Sequence, residues 1–300
     1  MEKASKEIKN AAICFAGQAR TFELCYPYIK KNLLDNLGSY DIFCCVEDDE
    51  NASKIEVLKP VKIKKIKSSD VAPIIKDEVQ SLKKQNYRTS LFIESFRFNI
   101  KNVYQQLYKI NQSFGLLEEY MKEKKIRYNH FIRIRFDLLP IDSIKLADFA
   151  IEKNEIIVPK ERLQHPQDTI NDMICITSDF NAFKSYCSLY NNFRNVIENQ
   201  FSVKMTLFQK LYFLCEKIYF NFFFFLLGKL SQKNKICRNL LGTFTHFSEL
   251  FYKKFKYENK LYLEKILFHY LTSEKINIKE MKIDFIIVRS LDEGLLVFGK

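Results

Sequence analysis

Two arginines and an aspartate recur at every second position in Asn129-His130-Phe131-Ile132-Arg133-Ile134-Arg135-Phe136-Asp137-Leu138-Leu139-Pro140. Alternation of β-branched and aromatic residues with charged ones is the period of a strand. It places Arg133, Arg135 and Asp137 on one face and Ile132, Ile134 and Phe136 on the other. Two guanidinium groups and a carboxylate in a row are costly to bury without a partner, and a phosphate-binding site would supply one. The spacing fits a half-solvated strand with a charged outer face equally well. A third arginine, Arg20, stands in the turn Gly17-Gln18-Ala19-Arg20-Thr21. No G-x-G-x-x-G follows the first apolar run and no G-x-x-x-x-G-K-[ST] occurs in the chain, so a phosphate would not be held in a glycine-rich cradle. Side-chain charge would have to do it. Arg20, Arg133 and Arg135 suit that task because guanidinium groups bind phosphate oxygens bidentately.

The elements that must position these groups are legible as alternating strands and helices. Residues 11–16 form a short apolar run ending at Gly17, which predicts a buried first strand. Residues 21–37 have helical periodicity, with Leu24, Tyr28, Leu33 and Leu37 on related faces and Gly38 as the stop. A second strand is expected over 41–46, before the acidic turn Glu47-Asp48-Asp49-Glu50. Residues 61–66 predict an edge-like strand with Lys62, Lys64 and Lys65 turned outward. A long helix is expected over about 94–125, then the arginine strand, then strands at 155–158 and 173–177. A helix over 259–271 and a strand over 284–289 close the chain. Strands separated by helices indicate an α/β layered domain with a largely parallel sheet.

Composition sets wider bounds. Three hundred residues form one large domain or two small ones, and 47% hydrophobic content describes a soluble, folded chain. The net charge of +12 is compatible with nucleic acid, anionic membrane or phosphorylated substrates. The 8 cysteines are scattered, with no C-x-x-C and no histidine at zinc-ligand spacing, which predicts reduced, buried, inert thiols. Residues 1–10 lack the apolar stretch of a signal peptide, so a cytoplasmic protein is expected.

Most of the positive charge lies in residues 201–256, where Lys204, Lys210, Lys217, Lys229, Lys233, Lys235, Arg238, Lys253, Lys254 and Lys256 face only Glu216 and Glu249. Within that stretch, residues 218–228 are uncharged and rich in phenylalanine. Such a run is too short to span a bilayer, which needs ~20 apolar residues. It fits a peripheral helix on an anionic membrane, or a buried core helix with solvated ends. Nucleic acid is not an expected partner, because the phenylalanines form a block and do not alternate with basic residues. The expected organisation is an N-terminal extension (1–10), a core (11–200), a helical basic-aromatic insertion (201–256) and a helix and strand returning to the core (257–300).

Read in order, these motifs resemble a known family. Gly17-x-x-Arg20-Thr21-Phe22 ends the first strand and Asp41-Ile42-Phe43 follows. Then come Tyr104-Gln105-Gln106-Leu107-Tyr108-Lys109-Ile110-Asn111, the strand through Asp137, Asn171-Asp172, and a C-terminal helix and strand with Arg289. The order is similar to that of bacterial and viral polysaccharide- or lipooligosaccharide-biosynthesis glycosyltransferases with a GT-A-like, Rossmann-type fold. It covers roughly residues 11–200 and 257–290.

The resemblance implies a nucleotide-diphosphate sugar as donor and an oligosaccharide or lipid-linked acceptor. It casts Gly17, Arg20, Thr21, Asp41, Arg133, Arg135 and Asp137 as donor-binding residues. GT-A enzymes use Asp-x-Asp to hold a divalent metal, whereas the matching positions here are Arg135-Phe136-Asp137. Asp137 would bind ribose, sugar hydroxyls, or a weakly held Mn²⁺ or Mg²⁺. Asp172 is the first choice for a general base and Glu258 the second, although an Asn-Asp turn and a helix-capping carboxylate are ordinary explanations for them. Gln18 and Gln105 are further donor contacts. The expected protein is a glycosyltransferase held peripherally at the inner face of the cytoplasmic membrane. The alternative is a non-catalytic binding or scaffold protein with a degenerate transferase site. The missing glycine loop counts against other phosphate-handling enzymes.

Overall fold

The computed structural model describes residues 8–85, 100–160, 170–200 and 263–288. The chain divides into two compact units. One comprises Met1–Val79, Ile100–Val196 and Leu263–Lys300, the other Gln80–Asn99 and Ile197–Tyr262. Nearly all described residues belong to the first; of the second, only 80–85 and 197–200 are described, each the end of a helix. The basic-aromatic segment, Glu258 and Arg289 lie outside the described residues.

The first unit is built on a seven-stranded sheet. In chain order its elements are β1 (Ile8–Gly17), α1 (Phe22–Asn32), β2 (Tyr40–Glu47), β3 (Lys62–Ile66), α2 (Ser68–Gln85), α3 (Ile100–Lys124), β4 (Arg127–Ile134), β5 (Leu138–Pro140), β6 (Glu155–Pro159), β7 (Ile174–Thr177), α4 (Phe180–Cys187), α5 (Leu189–Gln200), α6 (Leu263–Ser273), β8 (Asn277–Met281) and β9 (Phe285–Ile287). The sheet order is β3-β2-β1-β4-β7-β6-β8, and β7 alone among these strands runs antiparallel to its neighbours. Mostly parallel and flanked by helices on both faces, it is the layered α/β fold expected from the alternation of strands and helices.

The register explains why β1 is apolar throughout. Ile42, Ile13, Ile132, Ile176 and Ile157 align across five strands in one row. This row packs with Phe22, Cys25 and Ile29 of α1 in a single core. The neighbouring row, Phe43, Cys14, Arg133 and Cys175, belongs to the opposite face. There Cys14 Sγ donates to the Ser113 carbonyl of α3 at 3.7 Å, and Phe43 meets Tyr120 of the same helix edge-on. A strand covered on both sides has no solvent face to alternate with. At the sheet edge, the lysines of β3 discourage pairing with another chain. Lys62 is held by Glu119 and Glu123 of α3, and Lys64 donates to Gln112.

Several local expectations change. The strand foreseen over 129–140 is broken: β4 stops at Ile134, β5 begins at Leu138, and Arg135-Phe136-Asp137 makes the bend between them. β5 then pairs with β9 in a separate two-stranded sheet. The helix foreseen over 21–37 ends at Asn32, whose buried side-chain amide donates to the carbonyls of Pro140 and Ile141 at 2.8 and 3.0 Å. A short 3-10 turn, Leu34–Asn36, follows it.

Candidate functional site

β1 is followed in the chain by β2 on one side of it in the sheet, and its other neighbour is β4. α1 and α3 therefore leave on opposite faces, and a crevice opens beyond the carboxyl ends of β1 and β4. Ligands of open α/β sheets bind at such a switch point. Here the crevice is a cavity of ≈ 440 Å³, within the range of small-molecule sites. The carboxyl end of β1 supplies Gly17, the turn after it Arg20 and Thr21, β4 and the bend Arg133, Arg135 and Asp137, and α3 the remaining polar wall.

Arg133 is the unusual member. Its side chain is fully buried, at 0% exposure, and none of its guanidinium nitrogens has a hydrogen-bond partner. Around it are groups that offer little charge: burial pushes up the thiols of Cys175 and Cys187 and the hydroxyl of Tyr186, and the nearby guanidinium only partly offsets this. An uncompensated buried cation costs several kcal/mol, so an anion in the cavity would be strongly favoured.

Arg135 is in the opposite condition. Its Nε donates to Asp137 Oδ1 at 2.7 Å and its Nη2 to Asp137 Oδ2 at 2.6 Å. Burial pulls this guanidinium down, but the bonds and charge of Asp137, with Asp172 and Glu264 behind, outweigh it and hold the group well above its ordinary value. Both oxygens of Asp137 are thereby occupied. A Mn²⁺ or Mg²⁺ would have to displace the arginine fork, and among the described residues no group of three His, Cys, Asp or Glu side chains is placed to hold a metal. The divalent ion that the resemblance implies does not fit the described residues of the site.

The other expected site residues divide. Gly17 lines the cavity with φ at +137°, a conformation that favours glycine. Arg20 is exposed at the wall, and Gln18 and Gln105 also line it. Thr21 lines it too, but its hydroxyl donates to the Val288 carbonyl, so it serves the wall and not a ligand. Val288 in turn donates its N–H to the Asp137 carbonyl at 2.9 Å, tying the bend to the chain after β9.

Asp41, cast as a donor-binding residue, does not line the cavity: it is the second residue of β2, at the amino end of the strand. There it accepts from Lys9 at 2.9 Å and from the Tyr128 hydroxyl at 2.6 Å. The residue at the carboxyl end is Glu47, paired with Lys109 in a buried contact and accepting from the Ser68 N–H at 2.8 Å. Asp172 is 3% exposed and does not line the cavity; its Oδ2 accepts from Gln106, a wall residue, at 2.5 Å. It lies behind the wall, holding Gln106.

Sequence reading passed over Lys109, Asn102 and Gln106 as site residues. Asn102, Gln105, Gln106 and Lys109 follow the i, i+3, i+4, i+7 spacing of one helical stripe, and all four line the cavity. The apolar stripe, Ile100, Tyr104, Leu107 and Ile110, is the buried one. A polar stripe along the long helix expected before the arginine strand was the available signal.

A family model described as Domain of unknown function (DUF7796) matches residues 6–187. The chain belongs to the DUF7796 family. No curated protein matches it by sequence. Among solved structures, the DUF7796 chain is similar to mouse xyloside xylosyltransferase 1 in its apo form, at 10% identity over 62% of this chain and 71% of that one, with a TM-score of 0.31. It is similar to the glycosyltransferase GlyE of Streptococcus pneumoniae TIGR4, at 12% identity and TM-score 0.31, over 71% of this chain and 44% of that one. It is also similar to a nucleoside-diphosphate-sugar pyrophosphorylase from Vibrio cholerae RC9, at 8% identity and TM-score 0.37, over 94% and 97%. All three likenesses are distant.

Proposed function

We propose that this protein is a glycosyltransferase that takes a nucleotide-diphosphate sugar into the crevice between β1 and β4 and passes the sugar to an oligosaccharide or lipid-linked acceptor. The supporting observation is the fully buried, unpartnered guanidinium of Arg133 in a cavity at the carboxyl ends of parallel strands. A diphosphate is the donor group whose charge matches it, and charge developing on the leaving phosphate would meet the same cation. The polar stripe of α3 would hold the ribose and sugar hydroxyls. The test is nucleotide release from a panel of nucleotide sugars with the purified protein. The wild type releases nucleotide from at least one donor and Arg133→Met releases none. Equal release by both would remove Arg133 from the site.

One observation favours a second reading, a module that binds a nucleotide sugar without transferring the sugar. Asp137 is the one carboxylate among the described residues lining the cavity, and it is held by Arg135. A group able to accept the proton of an acceptor hydroxyl is thus missing among the described residues of the wall. Donor binding with no nucleotide release under any acceptor would favour this reading.

A further inference from the structure

Among the described residues, four cationic side chains line the cavity, and they are not equivalent. Lys109 is matched by Glu47, and Arg135 by Asp137, with Asp172 and Glu264 adding their negative charge. Arg20 is exposed to water. Arg133 is buried with every nitrogen unpartnered. From this asymmetry, and resting on the reading of the cavity as a donor site, we infer that the diphosphate group is held directly by Arg133 without a divalent cation. The Arg135–Asp137 fork is the scaffold of the site and not its metal ligand.

The chemistry distinguishes these roles. A metal-held diphosphate needs carboxylate oxygens free to face the ion, and both oxygens of Asp137 are already committed at 2.7 and 2.6 Å. Opening the fork would leave Arg135 facing only Asp172 and Glu264 while a doubly charged ion entered beside it. A phosphate on Arg133 leaves the fork closed and asks only that this buried side chain turn toward the cavity it lines. It supplies acceptors to donors that have none, and charge-assisted bonds of this kind are the strong ones. The register supports this division. Arg133 lies within β4, pinned between Cys14 of β1 and Cys175 of β7, whereas Arg135 and Asp137 lie in the bend beyond the strand.

The same argument gives Arg133 a stability signature that a structural arginine would lack. Removing an ion-paired arginine exposes its partner and destabilises the fold. Removing one without a partner relieves a buried charge.

The experiment is calorimetric titration of the full chain with sodium pyrophosphate and with UDP, in excess EDTA and again with added Mn²⁺. Affinity in EDTA should be within about twofold of that in Mn²⁺. Arg133→Met should weaken pyrophosphate binding by about 100-fold, while raising the unliganded Tm by about 2–4 °C. Asp137→Asn opens the fork, and whatever pyrophosphate affinity it keeps should be the same in EDTA as in Mn²⁺. If Arg133→Met does not fold, the EDTA comparison on the wild type still decides. Binding that vanishes in EDTA and returns with Mn²⁺ would overturn the inference and leave the transferase reading standing. Pyrophosphate binding in EDTA with no nucleotide sugar bound would uphold the inference and end the transferase reading. No binding of either probe under either condition would end both.

Discussion

The charges at this crevice are compensated unevenly, and the buried pair of Glu47 with Lys109 is the other extreme from Arg133. Burial pushes the Glu47 carboxyl up, but bonds from Lys109 and Ser68 outweigh it and bring the group below its ordinary value of 4.5. Because the folded value is the lower one, the pair stabilises the protein above pH 4.5 and that contribution is lost as pH falls through the folded value. Glu47→Gln leaves Lys109 buried without a counter-charge and should cost ~3 kcal/mol at pH 7 in urea unfolding. The gap from wild type should begin to narrow below about pH 4.5 and close as pH falls through the lower folded value, where the native carboxyl becomes neutral. A gap that stayed constant into acid would mean that Glu47 acts through packing and not through charge. Neither the pairing of Glu47 nor the isolation of Arg133 could be read from sequence. Both depend on which strand end meets which helix turn. Asp41 shows the same limit: the strand that holds it was foreseen, but the resemblance cast it as donor-binding and it lies at the amino end of β2, where it pairs with Lys9 and Tyr128.

The elements that carry the site are tied down by a few local devices, and α4 shows how much rests on one. Asp179 caps its amino end, accepting from the N–H groups of Asn181 at 2.8 Å and Ala182 at 3.3 Å and also from Asn154 at 3.0 Å. Burial raises its carboxyl, but these backbone bonds outweigh that and hold it below the usual carboxylate range. The cap fixes Phe180 and Phe183 against Phe131 of β4, whose next residue but one is Arg133. Asp179→Ala should therefore cost about 1 kcal/mol by chemical denaturation, while Asp179→Asn costs less, since it keeps the capping oxygen. Equal loss in both would show that charge and not the cap is what counts. At this scale the sequence was informative. Apolar runs located β2, β6 and β7 within one residue and β1 within three, because strands buried on both faces must be continuous and hydrophobic. The break at Arg135-Phe136-Asp137 escaped, since its residues keep the period of a strand and no glycine or proline marks the bend. β8 escaped for the opposite reason. Asn277-Ile278-Lys279-Glu280-Met281 is polar, as the last strand of a sheet can be.

For the molecule as a whole, the charge distribution bears on where it works. No described helix is long and apolar enough to cross a membrane. The lysines of 201–256 and the aromatic run at 218–228 are the features that would meet an anionic surface, where lipid-linked acceptors lie. Flotation with anionic vesicles checks this: the full chain should float at low salt, and a chain lacking 218–228 should float less while keeping its Tm. Unchanged flotation together with a collapsed Tm would mark the stretch as core. The overall α/β plan could be read from alternating strands and helices, and the arginine strand pointed to the crevice. What was hidden was the division of labour within it, because pairing between Arg135 and Asp137 is a matter of backbone bend and not of spacing. The decisive measurement is thermal shift of the wild type and Arg133→Met across nucleotides and nucleotide sugars, since a ligand adds stability once it exceeds its dissociation constant. The account predicts a rise in Tm for at least one nucleotide sugar with the wild type and none with the variant. No rise with any of them, or the same rise in both proteins, would contradict it.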